Sequence, residues 1–363
     1  DIAIAADTAM THDVNRAMKG GRPFMLMENT PSLPSRRATR RHKRPGMNFL
    51  AGLQAVAHGS DTVQYFQWRM GRGGCEKFHG AVVDHTGTEN TRVFREVAQL
   101  GEALAKLTPV LGAPVPAQAA LIIDWENRWA MESAVALGDN VKYIDTCRGH
   151  YQALWRQGIA MDVIAQTAEF TPYKLLVAPM LYLLKDGVAE RLAQFVASGG
   201  SLVMTYWSGI VNENDLCYLG GFPGAGLRKV FGVWNEETDS LQPFDANAVR
   251  MAPGNALNMT GSFAARQICA VIHAETAQTL AVYENDYYAG QPALTLNRHG
   301  KGEAWYMASR NEQGFLDAFY AALAGRAALP RAVAAPLPQG VSAQLRRADG
   351  RDYVFLMNFT TQP

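Results

Sequence analysis

The sequence predicts an α/β protein in three regions, residues 1–112, 113–337 and 338–363. Segments 24–28 and 62–69 have the composition of strands and flank a helical stretch, which predicts two parallel, neighbouring strands. From residue 119 onward, strand and helix patterns alternate, as in a doubly wound parallel sheet. The last region contains a predicted hairpin around Asp349 and Gly350, which we interpret as the start of a small antiparallel β domain.

The first strand is a continuous apolar run that ends on a carboxylate, Glu28, followed by turn residues. Such a run favours a strand that is buried on both faces, as in a parallel sheet. In barrels built from such strands, catalytic groups lie at the C-terminal rim. Glu28 therefore occupies the position of a catalytic carboxylate. Alternatively, it caps a loop or pairs with one of the arginines at 36, 37, 40 and 41.

The second strand, 62–69, leads into a glycine-rich loop that carries Glu76 and His79. Because the intervening helix, 47–58, makes the two strands parallel, this loop is predicted to lie at the same rim as Glu28. Two carboxylates, a histidine, several arginines and Trp68 suit a sugar-binding cleft, where charged hydrogen bonds and an aromatic platform hold a polyol. Trp68 could instead belong to the core of a barrel.

The remaining elements are predicted from the spacing of apolar residues and from the positions of glycine and proline. Residues 91–111 have apolar side chains at helical spacing, and Pro109, Pro114 and Pro116 mark a linker after them. The other predicted helices are 11–19, 143–157, 187–198 and 313–324, and the other predicted strands are 119–123, 161–165, 174–178, 201–206, 268–273, 279–283, 292–297 and 302–307. Asp124 and Glu126 follow a strand and could mark a second active site, although a loop cap is the simpler interpretation. The glycines at 220–226 do not open a helix after a strand, which disfavours a dinucleotide site.

Several of these blocks, at 24–32, 43–47, 67–69 and 73–80, together resemble the β-galactosidases of glycoside hydrolase family 42. Segments 209–215 and 219–221 resemble the second domain of that family. The resemblance implies the C-terminal part of a (β/α)8 TIM barrel, then an amidotransferase-like (flavodoxin/Rossmann-like) domain that forms homotrimers. It also implies a galactoside or galacto-oligosaccharide as substrate.

The resemblance also implies roles for single residues. Glu28 takes the position of the nucleophile, and Glu76 and His79 take positions that bind the galactose. The family usually has a tryptophan eight residues after the nucleophile, where this chain has Arg36. That difference puts the aromatic wall on this side of the sugar in question.

Retaining glycosidases also need an acid/base carboxyl group about 5–5.5 Å from the nucleophile. In the family this group ends the fourth barrel strand, and no counterpart precedes Glu28 in this sequence, which starts on Asp1. We therefore expect the chain to be the C-terminal piece of a longer protein, with the N-terminal barrel segment elsewhere, and to be inactive alone. The alternatives are a non-catalytic oligomerisation portion and an α-L-arabinopyranosidase of the same family.

Composition limits the classes of partner. A net charge of +1 argues against general nucleic-acid binding. The basic run 36–44 is predicted to be a solvated loop over the barrel rim, although a nucleic-acid or targeting patch is an alternative.

The four cysteines lack metal-ligand spacing and indicate free thiols in a reducing, cytoplasmic compartment. We expect no cofactor; the resemblance allows a structural zinc in the earlier barrel half. No apolar run is long enough for a transmembrane helix, so no membrane partner is expected.

Overall fold

The computed structural model describes residues 2–34, 41–135 and 142–361. The chain forms two compact units. The first unit combines Asp1–Pro116 with Ala332–Pro363, and the second comprises Ala117–Arg331.

The bounds of the elements are as follows. The helices are α1 (Ile2–Ala17), α2 (Met47–Ala57), α3 (Arg92–Lys106), the 3-10 helix η1 (Thr108–Val110), α4 (Trp125–Ser133), α5 (Tyr143–Trp155), α6 (Val188–Ala197), α7 (Leu227–Phe231) and α8 (Gln313–Arg326). The strands are β1 (Phe24–Asn29), β2 (Ser60–Tyr65), β3 (Ala119–Ile122), β4 (Met161–Ile164), β5 (Leu175–Ala178), β6 (Ser201–Thr205), β7 (Val233–Ser240), β8 (Asn247–Met251), β9 (Ser262–Ala274), β10 (Gln278–Tyr283), β11 (Pro292–His299), β12 (Gly302–Met307), β13 (Ser309–Asn311), β14 (Val341–Ala348) and β15 (Arg351–Asn358).

In the first unit, β1 pairs in parallel with β2, and α2 connects them. This confirms the predicted strand–helix–strand order and its parallel pairing. The side chain of Thr91 caps α3 by accepting a hydrogen bond from the backbone N–H of Phe94. α3 packs on α2 where Gly52 meets Leu100, since a Cβ at Gly52 would lie 2.5 Å from a Leu100 methyl carbon.

The prediction that β1 is buried on both faces is wrong for this chain. The side chains of Met25 and Met27 are 55% and 65% exposed, and Glu28 is exposed as well. Within the described residues β1 and β2 form a two-stranded sheet. Two strands cover each other only along their edges, so the described residues leave the face that carries the two methionines largely uncovered.

The helix α1 begins at Ile2, nine residues before the predicted start, because alanines continue its pattern toward the N-terminus. Its C-terminal half carries a buried charged cluster. Asp13 Oδ1 pairs with the guanidinium of Arg16 and lies 2.8 Å from His58 Nδ1. Arg16 Nη1 also donates to the carbonyl oxygen of His58, at 2.6 Å. These contacts fix the end of α2, immediately before β2.

The second unit contains one large sheet in the order β13-β9-β8-β10-β11-β12-β6-β5-β3-β4, with β7 paired to β9. Strands β4, β3, β5, β6 and β12 run parallel. This part agrees with the doubly wound prediction. The parallel arrangement ends at β12, which pairs with β11 through a two-residue turn. The glycines between the predicted strands 292–297 and 302–307 indicate this hairpin, and the hairpin makes the next strands antiparallel.

Some elements escaped the sequence prediction. β7 is largely polar and half-exposed, so it lacks the alternation that indicates a strand. The short α7 and β13 contain five and three residues. α4 begins after Asp124, whose side chain accepts a hydrogen bond from the N–H of Asn127. This confirms a capping role for Asp124.

The hairpin β14–β15 is present, with Ala348 opposite Arg351 around Asp349 and Gly350. Both turn residues have positive φ, 48° and 73°, as a type I′ turn requires. The hairpin belongs to the same compact unit as residues 1–116. Whether it also begins a separate small domain stays a prediction.

Arg346 fastens this hairpin to the rest of the first unit. Its guanidinium is fully buried and donates to the carbonyl oxygens of Val56, Ser60 and Ala113 at 2.8–3.1 Å. It also pairs with Asp61 Oδ1 at 2.8 Å. One side chain thus satisfies carbonyl groups from the end of α2, the start of β2 and the linker.

We predict that Arg346→Met lowers the free energy of unfolding of the first unit by about 3–5 kcal/mol, because it removes the donor to buried carbonyl oxygens and the ion pair with Asp61. Urea unfolding, with amide hydrogen exchange of β14 and β15 as the local readout, measures this loss. Arg347→Met is the matched control, since that exposed side chain pairs with Asp352 on the hairpin surface. Equal stability of the two variants would contradict the role given to Arg346.

Candidate active site

Glu28 is the penultimate residue of β1, and its side chain is exposed. The strand ends at Asn29, which lies opposite Tyr65, the last residue of β2. The N–H of Phe66 donates to the carbonyl oxygen of Asn29 at 3.2 Å. The carboxyl ends of the two strands are therefore level with each other, and Glu28 stands at that edge.

The glycine-rich loop after β2 is held against the segment that follows β1. The N–H of Gly80 donates to the carbonyl oxygen of Leu33, at 2.8 Å, and Thr30 Oγ1 lies 3.2 Å from His79 Nε2. His79 is buried, and the ring of Phe66 approaches it edge-on with centroids 5.0 Å apart. The N–H of His79 donates to the carbonyl oxygen of Glu76 at 2.8 Å. The structure thus brings the Glu76/His79 loop to the edge at which β1 ends, as predicted.

Gly80 permits this close approach. A Cβ at this position would lie 2.4 Å from Ser32 Oγ and 2.5 Å from the Leu33 nitrogen. Any side chain at 80 would therefore push the loop away from the segment after β1. By contrast, a Cβ at Gly73, in the same loop, would meet nothing within 4 Å.

Trp68 lies just beyond the end of β2 and is 66% exposed. Its backbone carbonyl oxygen accepts a hydrogen bond from the N–H of Val83, at 2.8 Å. Its ring contacts Phe94 edge-on, with centroids 6.3 Å apart. The indole is therefore anchored at one edge and largely uncovered in this chain.

Lys43 is a site residue that the sequence analysis missed. Its Nζ donates to Asn29 Oδ1 at 2.9 Å and to the carbonyl oxygen of Thr30 at 2.6 Å. Its own carbonyl oxygen accepts a hydrogen bond from Arg92, at 3.1 Å. Burial lowers the pKa of Lys43 to about 8. Lys43 thus clamps the chain directly after Glu28.

The interpretation of run 36–44 as a solvated loop is therefore wrong for Lys43. The role of Lys43 could not be predicted from the run of like charges, because composition does not distinguish a lysine that holds the backbone from a solvated one. The block Lys43-Arg44-Pro45-Gly46, which leads into α2, was the available signal. Arg36, at the position of the family's tryptophan, lies outside the described residues.

The surroundings of Cys147, Asp124 and Glu126, in the second unit, are structural rather than catalytic. Burial raises the pKa of the Cys147 thiol to about 12, which makes it a poor nucleophile. Asp124 and Glu126 both pair with Lys185 Nζ, at 3.2 Å. Within residues 2–34, 41–135 and 142–361, no group of three potential metal ligands is found. No helix in the same ranges is long and apolar enough to cross a membrane.

Sequence comparisons match two family profiles to this chain. The profile described as "Beta-galactosidase" matches residues 3–107, and that described as "Beta-galactosidase trimerisation domain" matches residues 117–330. β-Galactosidase BglY of Alicyclobacillus acidocaldarius is 54% identical over 99% of this chain and 52% of its own length. β-Galactosidase Pbg of Clostridium perfringens is 53% identical over 97% of this chain and 51% of its own. The chain thus spans about half the length of the curated relatives it matches.

Solved structures give the same result. The cold-adapted β-galactosidase of Rahnella sp. R3 superposes with a TM-score of 0.97 at 54% identity, covering 99% of this chain and 53% of its own. Gan42B, a β-galactosidase described as a member of glycoside hydrolase family 42, superposes with a TM-score of 0.95 at 44% identity, covering 99% of this chain and 52% of its own.

We predict that the side-chain amine of Lys43 loses its proton near pH 8, because burial disfavours its charged form. Since this folded-state pKa is below the unfolded value of about 10.4, charged Lys43 costs stability at neutral pH. That cost declines as the pH rises from 8 toward 10.5. Trace acetylation of the full-length protein at increasing pH, read by peptide mass spectrometry, gives the titration midpoint of Lys43. A midpoint equal to that of a lysine model peptide would contradict this environment.

Proposed function

Because the chain belongs to the β-galactosidases of glycoside hydrolase family 42, we propose that the full-length protein hydrolyses terminal, non-reducing β-D-galactosyl residues with retention of configuration. The observation that carries this proposal is the meeting of Glu28 with the Glu76/His79 loop at one edge of a parallel strand pair. The substrate class is a galactoside or galacto-oligosaccharide.

In the proposed mechanism Glu28 is the nucleophile. An exposed carboxylate at the end of a strand can approach the anomeric carbon without rearrangement of the backbone. Its attack expels the leaving group and forms a glycosyl-enzyme, which water then hydrolyses. The acid that protonates the leaving oxygen would be a carboxyl group about 5–5.5 Å from Glu28. We propose that the part of the protein outside these 363 residues supplies it, and that this chain alone is inactive.

Glu76 and His79 are proposed to bind the hydroxyl groups of the galactose. The C-terminal end of their loop is held by the Gly80–Leu33 hydrogen bond and by the contact of Thr30 with His79. Such positioning matters because catalysis depends on contacts that strengthen in the transition state. Trp68 is proposed to stack on the apolar face of the sugar.

The strand pair is proposed to form the last two strands of a (β/α)8 barrel. Met25 and Met27 of β1 are exposed in this chain, as is Phe66 after β2. In a barrel, further strands and packed side chains would cover such positions.

We also propose that the protein is located in the cytoplasm. The four cysteines are free thiols, in agreement with a reducing compartment.

We predict that Glu28→Gln in the full-length enzyme abolishes galactoside turnover, since an amide cannot form the glycosyl-enzyme. Azide should restore activity to Glu28→Gly, because the small anion takes the place of the missing carboxylate. Initial rates with an aryl β-galactoside measure both effects. Near-normal turnover by the glutamine variant would eliminate Glu28 as the nucleophile.

The second unit is proposed to carry the contacts of a homotrimer, in agreement with the trimerisation profile over residues 117–330. Light scattering of the full-length protein should therefore give a molar mass three times that of one polypeptide. A stable monomer at micromolar concentration would refute this assembly.

A further inference from the structure

Lys43 has no role in the proposed reaction, although its side chain reaches the end of the strand that carries Glu28. The residues on either side of Lys43 in sequence are exposed, whereas Lys43 is partly buried. Its Nζ atom donates hydrogen bonds to the side-chain oxygen of Asn29 and to the carbonyl oxygen of Thr30. These are the two residues that follow Glu28, so a cation holds the chain directly after the proposed nucleophile.

The backbone of Lys43 is itself fixed on two sides. Its N–H donates to the carbonyl oxygen of Ser32 at 3.1 Å, and its carbonyl oxygen accepts a hydrogen bond from Arg92 Nη2 at 3.1 Å. Arg92 is the first residue of α3 and also pairs with Glu96, at 2.8 Å. The base of the Lys43 side chain cannot move without loss of these contacts. Its ammonium group is therefore a fixed point rather than a mobile surface charge.

The ammonium group of Lys43 is held at a cost in free energy. Both of its acceptors are neutral oxygens, and no carboxylate in the described ranges forms an ion pair with it. Burial consequently lowers the pKa of Lys43. A cation that leaves water without a counter-ion destabilises the fold, so stability alone does not explain a lysine here. Ionisable groups that are perturbed in this way cluster at functional sites.

Thr30 connects Lys43 to one part of the site and His79 to another. Its carbonyl oxygen accepts the hydrogen bond from Lys43 at 2.6 Å, and its Oγ1 lies 3.2 Å from Nε2 of His79. His79 also has support that does not involve Lys43, from the edge-on ring of Phe66. Loss of the Lys43 ammonium group should therefore free the residues after Glu28 and leave the sugar-binding loop in place.

We propose that Lys43 is a positioning residue for the nucleophile: its ammonium group holds Asn29 and Thr30 so that the carboxylate of Glu28 points at the anomeric carbon. This inference rests on the proposed function, in which Glu28 forms the glycosyl-enzyme. Attack requires the reacting atoms to be aligned about 3–3.5 Å apart, and a displacement of about 1 Å lowers the rate roughly 10²-fold. Residues that never touch the substrate supply such alignment through hydrogen bonds to the groups that do, or to their neighbours.

Steady-state kinetics of the full-length protein with an aryl β-galactoside tests this role. Lys43→Met keeps the aliphatic side chain and removes the donor, so we expect kcat to fall roughly 10²-fold while KM is almost unchanged. Thr30→Val keeps the carbonyl oxygen that Lys43 holds but removes the contact with His79, so it should raise KM more than it lowers kcat. Lys106→Met is the matched control and should leave both constants unchanged, because Lys106 is exposed at the end of α3.

Chemical rescue separates positioning from folding. In Lys43→Ala the missing part of the side chain corresponds to n-propylammonium, and this cation should raise the activity of the variant roughly tenfold. Tetramethylammonium carries the same charge but no N–H donor, so it should have no effect. Neither cation should stimulate Lys106→Ala.

A normal kcat in Lys43→Met would overturn the inference, and the proposed hydrolysis would still stand if Glu28→Gln is inactive in the same assay. A higher KM with unchanged kcat would also overturn it, because Lys43 would then serve sugar binding. If both Lys43 variants lose the far-ultraviolet circular dichroism of the folded protein, the lysine is structural and the inference is wrong. Turnover by Glu28→Gln, by contrast, would contradict the proposed function itself.

Discussion

The parallel pairing of β1 with β2 is the constraint on which the candidate site depends. Parallel strands end at the same edge, so the pairing alone brings Glu28 and the loop after β2 together, although almost fifty residues separate Glu28 from Glu76. The Thr30–His79 contact and the Gly80–Leu33 hydrogen bond then fix the loop at that edge. Lys43 holds the chain immediately after β1. The chemistry proposed for the protein follows from this arrangement.

Buried charged side chains keep that pairing in register. Arg346 of the C-terminal hairpin donates to the carbonyl oxygen of Ser60, the first residue of β2. The hydroxyl oxygen of Ser60 in turn accepts a hydrogen bond from the N–H of Leu26 in β1, at 3.1 Å. The cluster of Asp13, Arg16 and His58 holds the chain just before β2. A hairpin more than three hundred residues after Glu28 in sequence thus contributes to the placement of Glu28.

Sequence analysis predicted what depends on local patterns and on strand–helix order. It found the parallel pair β1–β2, the parallel strands β3 to β6, the amphipathic α3 and both hairpins. The prediction failed for features that are determined by contacts between residues far apart in sequence. The exposure of Met25 depends on what covers the strand, the role of Lys43 depends on where its nitrogen points, and β7 is ordered by β9 although its sequence is polar.

The central claim is that Glu28 forms the covalent bond to the sugar, and trapping that bond tests it most directly. An activated 2-deoxy-2-fluoro-β-galactoside forms the glycosyl-enzyme but slows its hydrolysis, because the fluorine disfavours the oxocarbenium-like transition state. Peptide mass spectrometry of the full-length enzyme after this treatment locates the label. We expect one label per polypeptide, attached to Glu28. A label on Glu76 or on any other carboxylate would contradict it.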